Sequence, residues 1–234
     1  MKVALLADIH GNIEALRAVL AQVNSSEADK ILIAGDFVGY YYHPHEVIET
    51  ICRLGSRVEA IKGNHDALLE DFNEYDPGEK ENIRSKYGSG EEIAIRAMAG
   101  EQKQWLCSLK EQKSLYLDGR TALLCHGAPW NNSFYVYPDS DEHIFDKMGG
   151  YEEEFIVMGH THYPMIKKWK EKTLINPGSV GQPRNSQGGA CWALWDVVSG
   201  KVELKNTGYD VGPVIREVKK HDPDVPYLQM VLTR

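Results

Sequence analysis

Cysteine is sparse in this chain and never clustered. Cys52, Cys107, Cys125 and Cys191 are the only four, and no two form a Cys-x-x-Cys pair. That scatter excludes a cysteine zinc knuckle and a dense disulfide frame; it reads as reduced core thiols in a cytoplasmic protein. Long hydrophobic runs are missing too. No stretch approaches the roughly 18–20 apolar residues that span a bilayer, so no membrane partner is expected. The opening run from Met1 to Ala7 is apolar, but Asp8 and His10 end it too early for the core of a signal peptide, and a buried strand fits better. Positive charge is also scarce, with 26 Lys and Arg against 34 Asp and Glu and a formal net charge of −8. A protein that tracks a nucleic-acid duplex normally carries a basic stripe, so no such partner is expected. An acidic chain still accepts a phosphorylated substrate where bound dications reverse the local field. The 234 residues carry no internal repeat, low-complexity tract or linker and read as one domain, 1–234.

What the chain does have is a series of five short polar blocks, each placed just after an apolar run. They are Asp8-Ile9-His10, Gly35-Asp36, Gly63-Asn64-His65-Asp66, His126-Gly127 and Gly159-His160-Thr161-His162. The runs before them read as buried strands over Lys2–Ala7, Ile31–Ala34, Arg57–Ile61, Ala122–Cys125 and Phe155–Met158. Apolar residues at Ile13, Leu16, Leu20 and Val23 recur at helical spacing behind a plausible Asn12 N-cap, and a second helix is expected over His45–Leu54. This alternation implies a parallel sheet with right-handed crossovers. About 73–113 reads as a charged helical insertion with Ile93, Ala97 and Met98 inward. Short β-rich runs over Met165–Trp169, Thr173–Ile175, Ala190–Val197 and Val202–Lys205 suggest a second, mostly antiparallel sheet packed on the first.

Ligands at the carboxyl ends of parallel strands share one crevice. Asp, His and Asn without cysteine suit Mn, Fe or Zn as divalent ions, and glycine beside each block lets the chain turn sharply near a cation. Asp8, His10, Asp36, Asn64, His126, His160 and His162 are more donors than one tetrahedral ion can use. They fit two divalent metal ions about 3.5–4 Å apart, the spacing that clamps a phosphoryl group. Buried His and Asp are rare unless paired or metal-bound, which weighs against a core that carries them by accident. His43, His45, His143 and His221 fall outside the pattern and read as surface residues.

The ordered set Asp-x-His, Gly-Asp, Gly-Asn-His-Asp, His and Gly-His-x-His resembles the calcineurin-like metallophosphoesterase superfamily, in its small bacterial and archaeal phosphodiesterase type, from residue 2 to about 185. The resemblance implies an α/β fold, a two-sheet β-sandwich flanked by helices, with a dinuclear centre at the sheet edge. It implies that Asp8, His10 and His162 hold one metal, that Asn64, His126 and His160 hold the other, and that Asp36 bridges them. His65 would bind no metal and would protonate the leaving-group oxygen. Asp66 would cap the next helix or, less simply, orient His65.

Superfamily protein phosphatases carry Gly-Asp-x-x-Asp-Arg-Gly, whose arginine grips a monoester dianion. Here the stretch is Gly35-Asp36-Phe37-Val38-Gly39-Tyr40-Tyr41, without an Asp-Arg pair. The implied reaction is therefore hydrolysis of a phosphodiester or phosphoanhydride by in-line attack of a metal-bridging hydroxide. A small phosphorylated substrate is expected, a nucleotide or dinucleoside polyphosphate among them, as for the bacterial diadenosine-tetraphosphate hydrolases of this type. A phosphomonoesterase acting on a small nucleotide or sugar phosphate is the alternative. A non-catalytic scaffold on the same fold, as in the retromer subunit, is disfavoured by the retention of His65 and every ligand. Candidate substrate contacts are Tyr40 and Trp130, for stacking, and Gly178, Ser179 and Arg184, for a phosphate; the last three sit in a loop equally well read as a structural turn. A homo-oligomer is compatible with these features.

Overall fold

The computed structural model describes residues 1–185 and 187–234. Two five-stranded mixed sheets lie face to face. The first contains β1 (Lys2–Leu6), β2 (Lys30–Ala34), β3 (Val58–Ile61), β9 (Ala190–Asp196) and β10 (Lys201–Thr207), in the order β10-β9-β1-β2-β3. The second contains β4 (Gln112–Leu117), β5 (Arg120–Cys125), β6 (Phe155–Val157), β7 (Met165–Trp169) and β8 (Lys172–Asn176), in the order β4-β5-β6-β8-β7. The parallel β1–β2–β3 unit is joined by α1 (Ile13–Ser25) and α2 (Pro44–Arg53). Asn12 caps α1 by accepting the Ala15 N–H, as its position ahead of the apolar periodicity predicts.

Alternation along the strands sorts side chains into layers. Val3, Leu5, Leu32 and Ala34 point inward and meet Leu124, Phe155, Val157 and Ile175 of the second sheet. Ala4, Leu6, Ile31 and Ile33 point the other way and pack under α1 and α2. Strands covered on both faces read as continuous apolar runs. Trp195 and Phe155 join the two sheets with ring centroids 4.4 Å apart; truncating Phe155 to alanine would cost about 3–5 kcal/mol, as large core deletions do. The outer face of the second sheet is covered by α7 (Glu142–Met148) through Phe145 and Met148.

The second sheet departs from its expected make-up. It is mixed, with β5, β6 and β8 parallel, and the strands expected over Ala190–Val197 and Val202–Lys205 belong to the first sheet, where β9 runs antiparallel to β1 and β10 antiparallel to β9. The loop after β8 carries the chain back across the sandwich, where the Val180 N–H donates to Ala7 O at 3.0 Å and the Gly181 N–H to Asp8 O at 2.9 Å. The insertion is helical: α4 (Pro77–Tyr87), α5 (Gly90–Ala97) and α6 (Gly100–Ser108) follow α3 (Asn64–Asp71). Ala94, Met98 and Leu106 point into the core, with Ile93 partly covered and Ala97 exposed, a small shift in the phase of α5 from the expected set. At the C-terminal end, α8 (Gly212–His221) and α9 (Tyr227–Met230) cover Tyr41 and Tyr42. No helix among the described residues is long and apolar enough to cross a membrane.

Only Cys125 and Cys191 are core thiols; Cys52 and Cys107 are at the surface. Of the histidines outside the five blocks, His143 is exposed, but the other three are half-buried and packed. His45 Nδ1 lies 2.8 Å from Gln102 Oε1 of α6, and the His221 ring lies 4.9 Å from that of Tyr42.

Candidate metal centre

All five polar blocks leave strand ends or the loops just beyond them at one edge of the sandwich, and their side chains converge. Asp8, His10 and His162 offer three donor atoms within 4.8 Å of one another, and Asp36, His126 and His160 do the same. All six are buried. Asp36 lies between the groups, with Oδ2 at 3.2 Å from His126 Nε2 and 3.7 Å from His10 Nε2. Its other oxygen accepts the His65 N–H at 2.9 Å. Asn64 Oδ1 lies 3.0 Å from His126 Nε2, so Asn64 joins the second group.

The turns that present these groups are unusual in backbone. Asp8, His10, Asp36, Tyr40, His160 and His162 all have positive φ between 51° and 68°. Such conformations are uncommon for residues with a side chain and persist where the surroundings enforce them, typically at functional sites. Among the glycines of the blocks, Gly35 has the left-handed φ of +83°, and Gly63 is required for a different reason. A Cβ on Gly63 would overlap Asp36 Oδ1, so the β2 and β3 turns approach as closely as they do only with glycine there. Asp66 holds the same turns: its carboxylate accepts the N–H groups of Gly63, Asp36 and Phe37 at 2.8, 2.8 and 2.9 Å. Asp66 therefore caps α3 and staples the Asp36 turn; burial, then nearby Asp36, pushes its pKa up to about 6.

Each imidazole of the two groups spends one ring nitrogen on a backbone carbonyl. His10 Nδ1 faces Val38 O at 2.9 Å, His126 Nδ1 faces Ala34 O at 2.6 Å, His162 Nδ1 faces Gln182 O at 2.7 Å and His160 Nε2 faces Ser133 O at 3.1 Å. Carbonyls only accept, so each of these nitrogens carries a proton, and in the neutral ring the other is a lone pair aimed into the site. His10 Nε2 and His162 Nε2 thus face each other at 3.1 Å. Two lone pairs so directed repel unless they share a positive charge. Neither ring readily takes a proton: burial drives His10 down to about 3, and burial with the Arg184 guanidinium drives His162 well below its ordinary value. His126 behaves oppositely; burial would lower it, but the Asp36 carboxylate raises it to about 9, and the neighbouring imidazoles help hold Asp36 ionised against its own burial. Nitrogen and oxygen lone pairs, without thiolate, are the donor set that divalent Mn, Fe or Zn accepts. The residues fit the ions.

His65 stands beside these groups with its ring 5.1 Å from that of His10. Its Nδ1 lies 2.6 Å from Glu91 Oε1, and both side chains are buried. Burial lowers the His65 pKa, but Asp36 and Glu91 outweigh it and raise the pKa above its usual value. Glu91 comes from the first turn of α5, whose N-cap Ser89 is anchored by Asp222 near the end of α8: Asp222 Oδ2 accepts the Ser89 N–H at 2.9 Å and its Oγ–H at 2.8 Å. Nothing in the spacing of the five blocks points to Glu91, which is recognisable only as a buried carboxylate in a charged helix.

The candidate substrate contacts divide. Tyr40 is buried at the centre, 4.6 Å from the His10 ring and 5.0 Å from His65. Arg184 has Tyr227, Tyr40 and Tyr135 around its guanidinium, and its buried Nε has no partner among the described residues. Trp130 does not join the site. A tight turn pairing Ala128 with Asn131 directs its ring onto Phe134 of the outer core, under Lys147 Nζ at 4.0 Å. Tyr135 stands there instead, 4.0 Å from the His160 ring. Gly178 and Ser179 are structural: the Gly178 N–H donates to Asn176 Oδ1, and Ser179 Oγ donates to Asp8 O at 2.7 Å while accepting the Gln182 N–H. Their loop braces the Asp8 and His162 turns, with the Gly178 N–H and the Ser179 hydroxyl already engaged within the protein.

A sandwich of two mixed sheets with donor groups for divalent ions at one edge is the architecture of a metal-dependent phosphoesterase. The calcineurin-like phosphoesterase superfamily domain matches residues 1–200, and the chain belongs to that superfamily. An uncharacterised protein of Methanocaldococcus jannaschii is 29% identical over 242 aligned positions, covering 94% of this chain and 92% of its own. The metallophosphoesterase from Sphaerobacter thermophilus superposes with a TM-score of 0.80 at 24% identity, covering 100% of this chain and 98% of its own, a likeness of fold. A symmetrical bis(5'-nucleosyl)-tetraphosphatase of Pectobacterium carotovorum is 37% identical over 70 residues, 30% of this chain and 25% of that enzyme.

Proposed function

We propose that this phosphoesterase uses two divalent cations to hydrolyse a phosphodiester or phosphoanhydride bond in a small phosphorylated molecule, acting inside the cytoplasm. The observation that carries the reading is the His10–His162 pair, two lone pairs 3.1 Å apart whose tautomers are set by carbonyls, next to an Asp36 carboxylate reaching toward both groups. Asp8, His10 and His162 would hold one cation, Asn64, His126 and His160 the other, with Asp36 shared. When bound, the cations would supply positive charge to the phosphoryl oxygens and acidify a water.

The protein's own groups supply the remainder. Water oxygen bonds to phosphorus as the bond to the leaving oxygen breaks, and that oxygen needs a proton. His65 is suited to give it: Glu91 holds the proton on Nδ1 and a raised pKa keeps Nε2 protonated to higher pH. Arg184 lies near enough to influence Asp8 and His162 and is suited to grip a phosphate oxygen. A partial match to the tetraphosphatase supports a nucleotide substrate.

One observation favours a second reading, a phosphomonoesterase. The arginine missing after Asp36 has a counterpart in Arg184, brought in from a distant loop, and a guanidinium favours a dianion. A metal-supplemented screen over phosphodiesters, dinucleoside polyphosphates and phosphomonoesters tests both. Hydrolysis of diesters or anhydrides is expected; hydrolysis of monoesters alone would favour the second reading, and none by the metal-loaded protein would reject both.

A further inference from the structure

We propose that Tyr135 and Tyr137 form a stacking platform that holds the base of a nucleoside phosphate while its phosphate sits at the metal groups. This deepens the phosphoesterase reading and rests on it. In the segment 130–137 the aromatic side chains point two ways. Trp130 and Phe134 turn into the outer core, whereas Tyr135 leaves 45% of its surface open. The Tyr135 and Tyr137 rings are parallel within 4°, with centroids 5.8 Å apart, and Tyr163 extends the row at 5.9 Å from Tyr137 with 38% of its surface open.

One end of the row is fixed at the chemistry, because Tyr135 lies 4.0 Å from the His160 ring. Across from it stands Tyr87 at the end of α4, 4.8 Å from His65, with Lys86 Nζ 4.7 Å from its ring. Arg184 and Lys86 both bear on the Tyr135 hydroxyl. The cleft therefore offers cations and metal donors at its inner end and flat, partly open aromatic faces leading outward. A ligand that satisfies both ends is anionic at one end and planar and aromatic at the other. Every nucleobase has a π-face, and stacking on an aromatic side chain tolerates any base. A sugar phosphate would leave the row uncovered.

The test uses two esters with one leaving group, thymidine 5′-(p-nitrophenyl phosphate) and methyl p-nitrophenyl phosphate. The metal-loaded wild type should show the lower KM for the thymidine ester. In Tyr135→Ala the ratio of the two KM values should shrink by roughly 5- to 150-fold, the range for one base–aromatic stack, and Tyr135→Phe should retain it. A ratio unchanged in Tyr135→Ala would overturn the platform, as would loss of the ratio in Tyr135→Phe. Calorimetry with thymidine 5′-monophosphate and inorganic phosphate gives a readout apart from turnover. Tighter binding of the nucleotide, lost in Tyr135→Ala, supports the platform, and equal binding in wild type overturns it. Wild type that hydrolyses neither these esters nor any phosphoanhydride or phosphomonoester of the screen, yet binds nucleotide more tightly than phosphate, would reject the phosphoesterase reading and retain the platform.

Discussion

His65 Nδ1 and Glu91 Oε1 lie 2.6 Å apart, a buried pair between the turn after β3 and the first turn of α5. The pairing sets the ring's tautomer, since a carboxylate accepts and Nδ1 must then donate. It also ties the insertion to the sandwich edge, together with the Gly90 backbone against Tyr40, where a Cβ would lie 2.5 Å from Tyr40 N, and the Tyr87 ring 4.8 Å from that of His65. The insertion is thus part of the site's construction.

If His65 gives its proton to the leaving oxygen, His65→Ala should keep its metals and lose roughly 10²–10⁴-fold in turnover. The loss should be large for an alkoxide such as a ribose oxygen and small for p-nitrophenolate, which departs without help. Glu91→Gln should show a weaker version of the same pattern. Removing the Glu91 charge lowers the His65 pKa, and a proton donor loses activity as pH rises through its pKa, so the alkaline limb of the rate profile should move to lower pH. Rate profiles on both kinds of leaving group check this; an equal loss for good and poor leaving groups would assign His65 to phosphate positioning.

Metal content should follow the geometry of the two groups. Asp36→Asn should lower occupancy at both positions, because Asp36 Oδ2 faces His10 and His126 alike. His162→Ala should chiefly empty the group shared with Asp8 and His10. Metal analysis of purified variants decides, and two full equivalents retained by Asp36→Asn would refute a shared ligand. Uptake should also release protons. His126 has a pKa raised to about 9 and binds a proton at neutral pH that a cation must displace. Affinity should therefore rise with pH toward about 9 and then level, which calorimetry in buffers of different ionisation enthalpy measures.

The strands and the donor blocks were legible because each block interrupts an apolar run, and a polar residue at a buried strand end has little other reason to be there. What was not legible depends on tertiary meetings. Ala190–Asp196 looks alike whether it closes one sheet or the other; the loop that bonds Val180 and Gly181 to Ala7 and Asp8, just past β1, delivers it to the β1 edge. α7 is short, and α8 begins at Gly212-Pro213, so neither has a long apolar period to announce it. Trp130 and Tyr135 are equally aromatic in sequence; the Ala128–Asn131 turn chooses which of them meets His160. Glu91 belongs to a run of charges whose burial comes from its neighbours. Asp66, by contrast, sits at the third position of a helix that begins beside Gly63, and its capping role follows from that place alone.

The cysteines separate by exposure. Cys52 and Cys107 should react with a thiol reagent in the folded protein, while Cys125 and Cys191 stay protected, since burial raises both thiols, Cys191 to about 11. About two equivalents are expected before denaturation and four after, with no prior reduction. A count below four after denaturation would reveal a disulfide and contradict the reduced, cytoplasmic reading.

Arg184 decides between the two substrate readings. A diester suits the absence of an Asp-Arg pair after Asp36, since a singly charged diester needs no guanidinium beyond two cations. Arg184 nonetheless brings a guanidinium to the same place from a distant loop. Arg184 is anchored by its backbone N–H on His162 O at 3.4 Å, beside the group of Asp8, His10 and His162, and faces three tyrosines that leave its buried Nε unpartnered among the described residues. With Mn²⁺ present, bis(p-nitrophenyl) phosphate should still be cleaved faster than p-nitrophenyl phosphate. Arg184→Ala should lower kcat/KM for the monoester more than for the diester, by roughly tenfold or more, because a charged hydrogen bond contributes about 1.5–3 kcal/mol and the dianion leans on it harder. Arg184→Lys should restore the charge but not the fork of donors, and only part of the loss. A wild type that prefers the monoester, with the preference abolished in Arg184→Ala, would make Arg184 the monoester clamp and replace the diesterase reading with the second one.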